Sequence, residues 1–464
     1  MSLPDLQYAA RPSDTREPDG PQPADREDFA VEEPPAQSVA AGIAIAGGSV
    51  WRIERRLAGR MLRAIGSPPI RLVLWNGEEI AECGDRPIAR VLLRDRPTFW
   101  KLLLDPSLQF GEAYSDGRIE VEGDLVQFLE IIQRSQAGTW QPGDRSWGDD
   151  HRWGGSCTAT LRGLMPAALL RRLHRARANS LVGARENIHH HYDLGEDFYK
   201  LWLDDEMIYS GAYFPMPAMT LEAAQRAKLD YVAQKLWLKP GETVVEVGGG
   251  WGGLALLLAR AYRVRVKSFN ISKRQVLYAR RRAKAEGLDA LVEFIEDDYR
   301  NIKGRFDALV SLGMLEHVGT AHYRDFGRVI DRCLSPTGRG LIQSIGQDWP
   351  DETNPWIERR IFPGTYPPTL REMMDIFEPP RLSILDVENL RLHYAETLRH
   401  WLKRFEASSS AVAAMFDERF VRTWRLYLAG SCAAFAAGAL QLFQVAFSRP
   451  GINDIPRTRA RLYS

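Results

Sequence analysis

The chain has 464 residues, which is enough for two or three domains and a large hydrophobic core. Its formal net charge is only +1, and this balance argues against a dedicated nucleic-acid-binding protein. The four cysteines are scattered without a CxxC pair, which predicts free, mostly buried thiols in a reducing compartment and no metal site. They are Cys83, Cys157, Cys333 and Cys432.

The N-terminal part of the chain divides into a polar leader and a small domain. Residues 1–48 are acidic, rich in Pro and Ala and without periodicity, which predicts a disordered leader unlike a signal peptide. Residues 49–138 are predicted to form a small α+β domain. This domain opens with an Arg-rich helix, continues with a strand at Ile70–Trp75 and contains a helix at Leu125–Arg134.

Residues 139–185 are predicted to form a linker followed by a basic helix. Trp140–Ser156 is rich in Gly, Asp and Trp, which is typical of a loop, and His151–Arg185 contains seven arginines and no acidic residue. Leucines give this second segment an apolar side, so it suits a membrane surface with anionic headgroups. A solvated helix that packs on a neighbouring domain explains the pattern equally well.

The C-terminal part of the chain is predicted to be an α/β domain with a nucleotide-binding turn. Val244–Val247 favours a buried parallel strand, and a helical stretch, Leu254–Ala261, follows after a run of glycines. Gly248, Gly250 and Gly253 have the spacing of a turn in which the backbone approaches a cofactor closely. The domain spans 186–464, and its seven strands are predicted near Thr243, Val264, Val292, Ala308, Gly340, Leu382 and Leu440.

The ends of the next two strands indicate which cofactor binds. An NAD-dependent dehydrogenase places an acidic residue after the second strand to hold the ribose, but here Arg263–Phe269 is followed by Asn270. Acidic and aromatic residues follow the third strand, Leu291–Ile295, in the segment Glu296–Tyr299, where they suit the edge and face of an adenine. This arrangement is more usual for S-adenosylmethionine than for NAD. Alternatively, Glu296–Tyr299 is a solvated acidic loop.

Two further segments support an α/β fold. Val310–Gly319 is predicted to be a fourth strand that runs into a loop with Glu316 and His317, and the carboxylate should point into the ligand crevice. Leu426–Ser448 contains no charged residue and is long enough to span a bilayer. Its glycines, serines and glutamines nevertheless favour a buried helix followed by the last strand of the sheet.

Several motifs follow one another in an order that is typical of one family. They are Asn187–Gly195, Met207–Phe214, the glycine turn, Gly313–Gly319, Pro355–Ile357, Ile361–Pro363 and Gln441–Ser448, with a weaker match at Phe110–Gly117. Together they resemble the cyclopropane-fatty-acyl-phospholipid synthase family. The resemblance implies a seven-stranded Rossmann-like methyltransferase sheet with a smaller N-terminal α+β domain. It also implies a cytoplasmic enzyme at the inner face of the membrane, with phospholipid as substrate and the capacity to form a homodimer.

The resemblance further implies a cofactor site and an acyl-chain site. Eight residues are expected to surround S-adenosylmethionine: Tyr209, Ser210, Gly248, Gly250, Asn270, Gln275, Asp298 and Tyr299. The acyl chain requires an apolar tunnel with aromatic faces, because the methylated chain carries a positive charge that must be shielded from water. Candidate walls of this tunnel are Tyr192, Tyr209, Tyr213 and Phe214, and the segment 347–371 is predicted to cover it.

In the resembled family, a bicarbonate ion removes a proton from the methylated chain and is held by five groups. The glutamate among them corresponds to Glu316, the tyrosine to Tyr394 and the backbone amide to Ile345. Two groups differ, because Gly211 replaces the cysteine and Gln343 replaces the histidine. Gln343 can donate a hydrogen bond but cannot carry charge or shuttle a proton. The sequence therefore leaves open whether bicarbonate binds, and whether the product is a cyclopropane, a methyl-branched chain or a methylated unsaturated chain.

Two other functions stay open on the sequence alone. The two altered groups would suit a non-catalytic homologue that binds lipid or S-adenosylmethionine, whereas the glycine turn and Glu316 favour an enzyme. A methyltransferase for a small soluble substrate, or an NAD-dependent oxidoreductase, is the third hypothesis.

Overall fold

The computed structural model describes residues 49–82, 87–136 and 194–462. The predicted leader, the predicted linker and basic helix, Tyr192 and two of the cysteines (Cys83 and Cys157) lie outside the described residues. The other two cysteines, Cys333 and Cys432, are buried free thiols, as predicted.

The N-terminal region forms a four-stranded sheet with the order β2-β1-β3-β4. Strand β1 is shorter than the predicted Ile70–Trp75, because the chain turns after Val73 and the amide of Gly77 donates to the carbonyl of Leu74. The elements of this region are α1 (Arg52–Ala64), β1 (Ile70–Val73), β2 (Glu79–Ile80), β3 (Ala89–Leu93), α2 (Arg96–Leu104), α3 (Pro106–Ser115), β4 (Ile119–Gly123) and α4 (Leu125–Gln136).

The second sheet has seven strands in the order β10-β11-β9-β8-β5-β6-β7. Strands β5 to β9 pair in parallel, whereas β11 pairs antiparallel with both β9 and β10. The strands are β5 (Thr243–Val247), β6 (Arg265–Asn270), β7 (Val292–Glu296), β8 (Phe306–Leu312), β9 (Leu334–Gly346), β10 (Ser383–Asn389) and β11 (Gln441–Ser448). This sheet confirms the predicted α/β fold class.

Helices cover this sheet and explain its hydrophobic strands, because both faces of a parallel sheet are buried. They are α5 (Glu196–Lys200), α6 (Leu221–Lys235), α7 (Gly253–Tyr262), α8 (Lys273–Ala285), α9 (Tyr323–Cys333), α10 (Pro355–Arg360), α11 (Leu370–Met373), α12 (Arg391–Ala407), α13 (Ser409–Met415) and α14 (Glu418–Ala437). Strand β6 begins later than the predicted Arg263, because Arg263 takes a left-handed conformation at the end of α7.

The uncharged C-terminal segment forms a buried helix and then a strand, as the sequence predicted. Helix α14 starts after Asp417, whose carboxylate accepts a hydrogen bond from the amide of Phe420, and it ends at Gly438 in a left-handed conformation. Strand β11 follows, and all of its residues are buried. Among the described helices, none has the length and apolar character that a membrane span requires.

The N-terminal region packs against the segment 347–371 through α3 and α10. A Cβ atom at Gly111 would lie 2.4 Å from Cγ of Trp356, so only glycine leaves room for the indole ring. Next to this contact, Arg360 donates to both carboxylate oxygens of Glu112, at 2.7 and 2.6 Å. The predicted helix at Leu125–Arg134 is observed as α4, which packs against α14.

Candidate active site

The glycine turn between β5 and α7 is held close to the neighbouring strand. Gly248 has a φ of +85°, which favours glycine, and a Cβ atom at Gly249 would lie 1.9 Å from Oγ of Ser268. That hydroxyl donates to the carboxylate of Glu246 at 2.6 Å. The turn therefore leaves its backbone exposed at the carboxyl edge of the sheet, where open α/β folds bind ligands.

One cavity lies above this turn, and the eight predicted cofactor residues all line it. They are Tyr209, Ser210, Gly248, Gly250, Asn270, Gln275, Asp298 and Tyr299. They come from the segment before α6, from the turn after β5 and from the ends of β6 and β7. The fold thus brings together residues that are far apart in the sequence.

Asn270 connects the glycine turn to the start of α8. Its amide nitrogen donates to the carbonyl of Gly250 at 3.2 Å and to Oε1 of Gln275 at 2.9 Å. Its amide oxygen accepts from the amide of Ser272 at 3.0 Å. All three interactions fix the tip of β6, the strand end at which a dehydrogenase would carry its ribose-binding acid.

The acidic and aromatic residues after β7 also face the cavity, and Arg300 holds the acid. Both oxygens of Asp298 accept hydrogen bonds from the guanidinium of Arg300, at 2.8 and 2.9 Å. Tyr299 packs edge-on against Phe326, and burial raises the pKa of its hydroxyl to about 12. Tyr299 is therefore neutral at physiological pH and offers an apolar ring to the cavity.

Tyr209 connects the cavity to a large cluster of aromatic side chains. Its hydroxyl lies 2.8 Å from the hydroxyl of Tyr427, and its ring lies 5.4 Å from the rings of both Trp202 and Trp401. Phe362, from the segment 347–371, packs edge-on against Tyr427. Aromatic faces of this kind stabilise a cation that has lost its water.

Tyr213 and Phe214, two other candidate walls, contact imidazole rings of α12. Tyr213 stacks on Tyr231 with ring centroids 4.3 Å apart and also contacts His393. Phe214 stacks on His400. Neither residue lines the cavity above the glycine turn.

Glu316 lies in a short 3-10 helix after β8 and is only 6% exposed. Its Oε1 accepts a hydrogen bond from the amide of Ile345 at 2.6 Å, and its buried Oε2 has no hydrogen-bond partner among the described residues. Burial raises the pKa of this carboxyl to about 7. Glu316 does not line the cavity itself, contrary to the expectation that it points into the crevice, although His317 and Met314 do.

Gly211 and Tyr394 are close neighbours, and both lie next to strand β11. A Cβ atom at Gly211 would lie 3.1 Å from Cγ of Tyr394 and 2.9 Å from Cδ2 of Leu442. Leu442 is also the partner of Ile345 in the pairing of β9 with β11. All five catalytic candidates therefore lie in or near the last residues of β9, because Gln343 belongs to the same strand.

Gln343, the fifth candidate, takes part in a buried polar chain. Nζ of Lys235 donates to Oε1 of Gln444 at 2.9 Å, and Nε2 of Gln444 donates to Oε1 of Gln343 at 2.9 Å. Because an ammonium can only donate, it fixes the orientation of both amides. Gln343 therefore presents its oxygen to Gln444 and keeps its Nε2 donor on the opposite side.

Two buried charged residues of the cavity wall were not among the predicted site residues. Lys228 on α6 and Glu246 in β5 both line the cavity and are buried. The signal for Glu246 was a single acid within a run of valines. Lys228 lies in a helix with many polar residues, where a lysine ordinarily faces solvent, so its burial could not be predicted from the local pattern.

Comparison with known proteins identifies the family. The model of the family described as mycolic acid cyclopropane synthetase matches residues 179–445, more than half of the chain. The chain belongs to this family. A second model, described as a domain of unknown function, matches residues 58–142.

Individual relatives extend over most of the chain. The cyclopropane-fatty-acyl-phospholipid synthase of Escherichia coli K12 is 37% identical to this chain. The match covers 80% of this chain and 90% of that relative. A probable fatty acid methyltransferase of Pseudomonas putida is 34% identical, and the match covers 85% of this chain and 96% of that relative. The crystal structure of mycolic acid cyclopropane synthase CmaA1 with S-adenosylhomocysteine and CTAB has a TM-score of 0.55 and 28% identity, covering 57% of this chain and 98% of that one.

These relatives confirm the resemblance that the motifs indicated. They also confirm the predicted enzyme class, a methyltransferase, and its cofactor, S-adenosylmethionine. The relatives are lipid methyltransferases and not oxidoreductases, so the hypothesis of an NAD-dependent oxidoreductase is wrong.

Proposed function

We propose that this protein transfers a one-carbon unit from S-adenosylmethionine to the double bond of an unsaturated phospholipid acyl chain. The observation that carries this proposal is the buried carboxylate of Glu316, with one unpartnered oxygen, in a loop whose neighbours Met314 and His317 line the cofactor cavity. Such a group can accept a proton in a site from which water is excluded. The E. coli relative supports the phospholipid substrate.

The eight cavity residues are proposed to bind the cofactor in three parts. The glycine turn offers its backbone, Asn270 and Gln275 face the ribose, and Asp298 and Tyr299 face the adenine. Tyr209 and Ser210 approach from the segment before α6. When bound, S-adenosylmethionine supplies an electrophilic methyl group on a sulfonium.

In the proposed reaction, the π electrons of the acyl double bond form a bond to that methyl carbon while the carbon–sulfur bond breaks. The positive charge then lies on the other carbon of the former double bond. Loss of a proton from the new methyl group closes a cyclopropane, whereas loss from a neighbouring chain carbon gives a methylated unsaturated chain. We propose Glu316 as the acceptor of this proton, since burial raises its pKa to about 7 and brings it near that of an effective general base.

The residues at the catalytic positions fit a bicarbonate ion poorly. The amide of Ile345 already donates to Glu316, and the oxygen of Gln343 already accepts from Gln444. Gly211 has no side chain, and little space is left beside it. We therefore propose that the proton passes to Oε2 of Glu316 in place of bicarbonate, because this oxygen has no hydrogen-bond partner among the described residues.

The basic segment is proposed to hold the enzyme at the cytoplasmic face of the membrane. Its arginines include Arg171, Arg172 and Arg175, and anionic headgroups attract such segments by about 1 kcal/mol for each basic residue. A peripheral position would give the enzyme access to acyl chains. A homodimer is proposed on the resemblance alone.

The structure of the product tests this proposal. The protein is incubated with labelled S-adenosylmethionine and monounsaturated phospholipid vesicles, and the acyl chains are analysed by mass spectrometry and NMR. Cyclopropyl protons would show ring closure without the cysteine and the histidine of the resembled family. An added methyl group without a ring would show that the proton leaves from another carbon. Label in neither form would contradict the proposed function.

A further inference from the structure

Lys228 is a buried cation in the wall of the cofactor cavity. It lies in the middle of α6, and its residue is only 1% exposed. Its Nζ donates a hydrogen bond to Oγ of Ser210 at 3.0 Å. An ammonium has three N–H donors, and within the described part of the chain this is the one hydrogen bond that Nζ makes.

Two carboxylates lie near Lys228, and each accepts hydrogen bonds from other groups. Asp204 accepts from the amides of Glu206 and Ile208, both at 3.0 Å, and Glu246 accepts from Ser268. Burial raises the pKa of Asp204 to about 6 and that of Glu246 to about 7, while it lowers the pKa of Lys228 to about 8. Neither carboxylate accepts a hydrogen bond from Nζ of Lys228 within the described residues, so an anion in the cavity that did so would stabilise the buried ammonium further.

The topology places Lys228 at one end of the proposed cofactor position. Strands β5, β6 and β7 lie side by side, so their tips are about 4.8 Å apart in succession. Asp298 and Tyr299, proposed for the adenine, follow β7, and Asn270, proposed for the ribose, ends β6. The far end of the cofactor, its methionine part, then lies over β5 beside Glu246, Ser210 and Lys228.

We propose that Lys228, together with the hydroxyl of Ser210, binds the carboxylate of S-adenosylmethionine. This inference rests on the proposed function, because it assumes the same cofactor in the same cavity. The carboxylate is the one anionic group of that cofactor, and charge-assisted hydrogen bonds between ammonium and carboxylate are about twice as strong as neutral ones. Lys228 thereby fixes the sulfonium end and orients the methyl group toward the acyl chain.

The test compares two ligands that differ only in this carboxylate, S-adenosylmethionine and decarboxylated S-adenosylmethionine. In Lys228→Met, we expect the affinity for S-adenosylmethionine to fall about 10- to 100-fold and that for the decarboxylated ligand to change by less than about threefold. Isothermal titration calorimetry on the full chain measures both. Lys239→Met is the control, since it removes an exposed lysine that pairs with Asp454 and does not line the cavity. It should leave the ratio of the two affinities unchanged.

A second variant covers the case in which Lys228→Met fails to fold. Ser210→Ala keeps the charge and should weaken S-adenosylmethionine binding selectively, but by less than Lys228→Met. If Lys228→Met lost affinity equally for both ligands, or lost none, the role assigned to Lys228 would be overturned. The proposed function would not be affected by that result. A wild-type protein that binds neither ligand would instead overturn the proposed function, and this inference with it.

Discussion

The carboxylate of Glu316 and the backbone amide of Ile345 are joined by a 2.6 Å hydrogen bond between two elements at the carboxyl end of the sheet. Glu316 belongs to the loop after β8, and Ile345 lies near the end of β9. This bond holds one oxygen of the carboxylate and leaves the second, Oε2, buried without a partner among the described residues. The geometry therefore defines both the orientation of the acid and the oxygen that is available for chemistry.

Replacing Glu316 with Gln should affect turnover far more than cofactor binding. The amide cannot accept a proton, so we expect methyl transfer to lipid to fall about 10²- to 10⁴-fold. The affinity for S-adenosylhomocysteine should change little, because Glu316 does not line the cofactor cavity. Label transfer to vesicles and calorimetry measure the two effects. Glu293→Gln, at an exposed position on β7, is the control, and a large loss of cofactor binding in Glu316→Gln would show that Glu316 serves the cofactor instead.

The rate of the wild-type enzyme should rise with pH. If Glu316 accepts the proton, it must be ionised, and burial raises its pKa to about 7. Methyl transfer under saturating cofactor should therefore increase as pH passes through about 7 and level off above it. A rate that is independent of pH between 6 and 8 would contradict the role of Glu316 as the base.

The free energy of unfolding should also depend on the ionisation of Glu316, but it should fall with rising pH, whereas the rate rises. Between the ordinary pKa of 4.5 and about 7, the folded protein keeps a proton on Glu316 that the unfolded chain has released. The free energy of unfolding therefore decreases through this window as pH rises, since the folded state binds more protons. Glu316→Gln has no such carboxyl and does not lose stability in this way. The difference between its Tm and that of the wild type should therefore change in favour of the variant by about 2–6 °C from pH 5 to pH 8. Differential scanning calorimetry measures this, and a constant difference would refute it.

Gly211 should tolerate a side chain poorly. The Cβ atom of Gly211→Ala would lie 2.9 Å from Leu442 and 3.1 Å from Tyr394, so these residues must move, at a cost of about 1–3 kcal/mol. Gly430→Ala is the matched control, because Gly430 lies within α14 and a Cβ atom there meets nothing within 4 Å. We expect this control to gain about 0.5–1 kcal/mol from helix propensity. Urea unfolding compares the two, and equal stabilities would contradict the close packing at Gly211.

Lys235 should contribute more to stability than an exposed lysine with a similar partner. Its buried ammonium pairs with Glu388 and donates to Gln444, so Lys235→Met should cost about 3–5 kcal/mol through the uncompensated carboxylate. Lys239 pairs with Asp454 at the surface, and Lys239→Met should change stability by less than about 1 kcal/mol. Urea unfolding curves measure both. The turnover of Lys235→Met should also fall, since Gln444 no longer fixes the orientation of Gln343.

Neutralising the basic segment should weaken the attraction to membranes. Replacing Arg171, Arg172 and Arg175 with Gln should lower binding to vesicles that contain anionic lipid by about 10- to 100-fold at low salt, and less at high salt. Vesicle co-sedimentation measures this, with neutral vesicles as the control. Unchanged binding would assign the segment to protein packing.

The sequence determined the sheet and the residues that line the cavity above the glycine turn to a large extent, because both depend on local patterns. Valines followed by glycines fix a buried strand and a turn, and the carboxyl ends of parallel strands meet at one edge. The residues Asn270, Asp298 and Tyr299 therefore line the same cavity as the turn, as the motifs predicted. The uncharged segment 426–448 could likewise be divided correctly into a helix and a strand, because its glycines and glutamines are unsuited to a lipid environment.

Only the tertiary structure decided how the side chains at the end of β9 share their hydrogen bonds. The pattern of residues could not show that Glu316 accepts from Ile345, or that Gln343 accepts from Gln444, since these partners come from separate strands and loops. Nor could it show that Lys228 is buried, because the burial of a lysine depends on what packs over its helix rather than on the helix itself. Local sequence fixes the elements, whereas the desolvation and pairing of each charged group follow from contacts between residues distant in the chain.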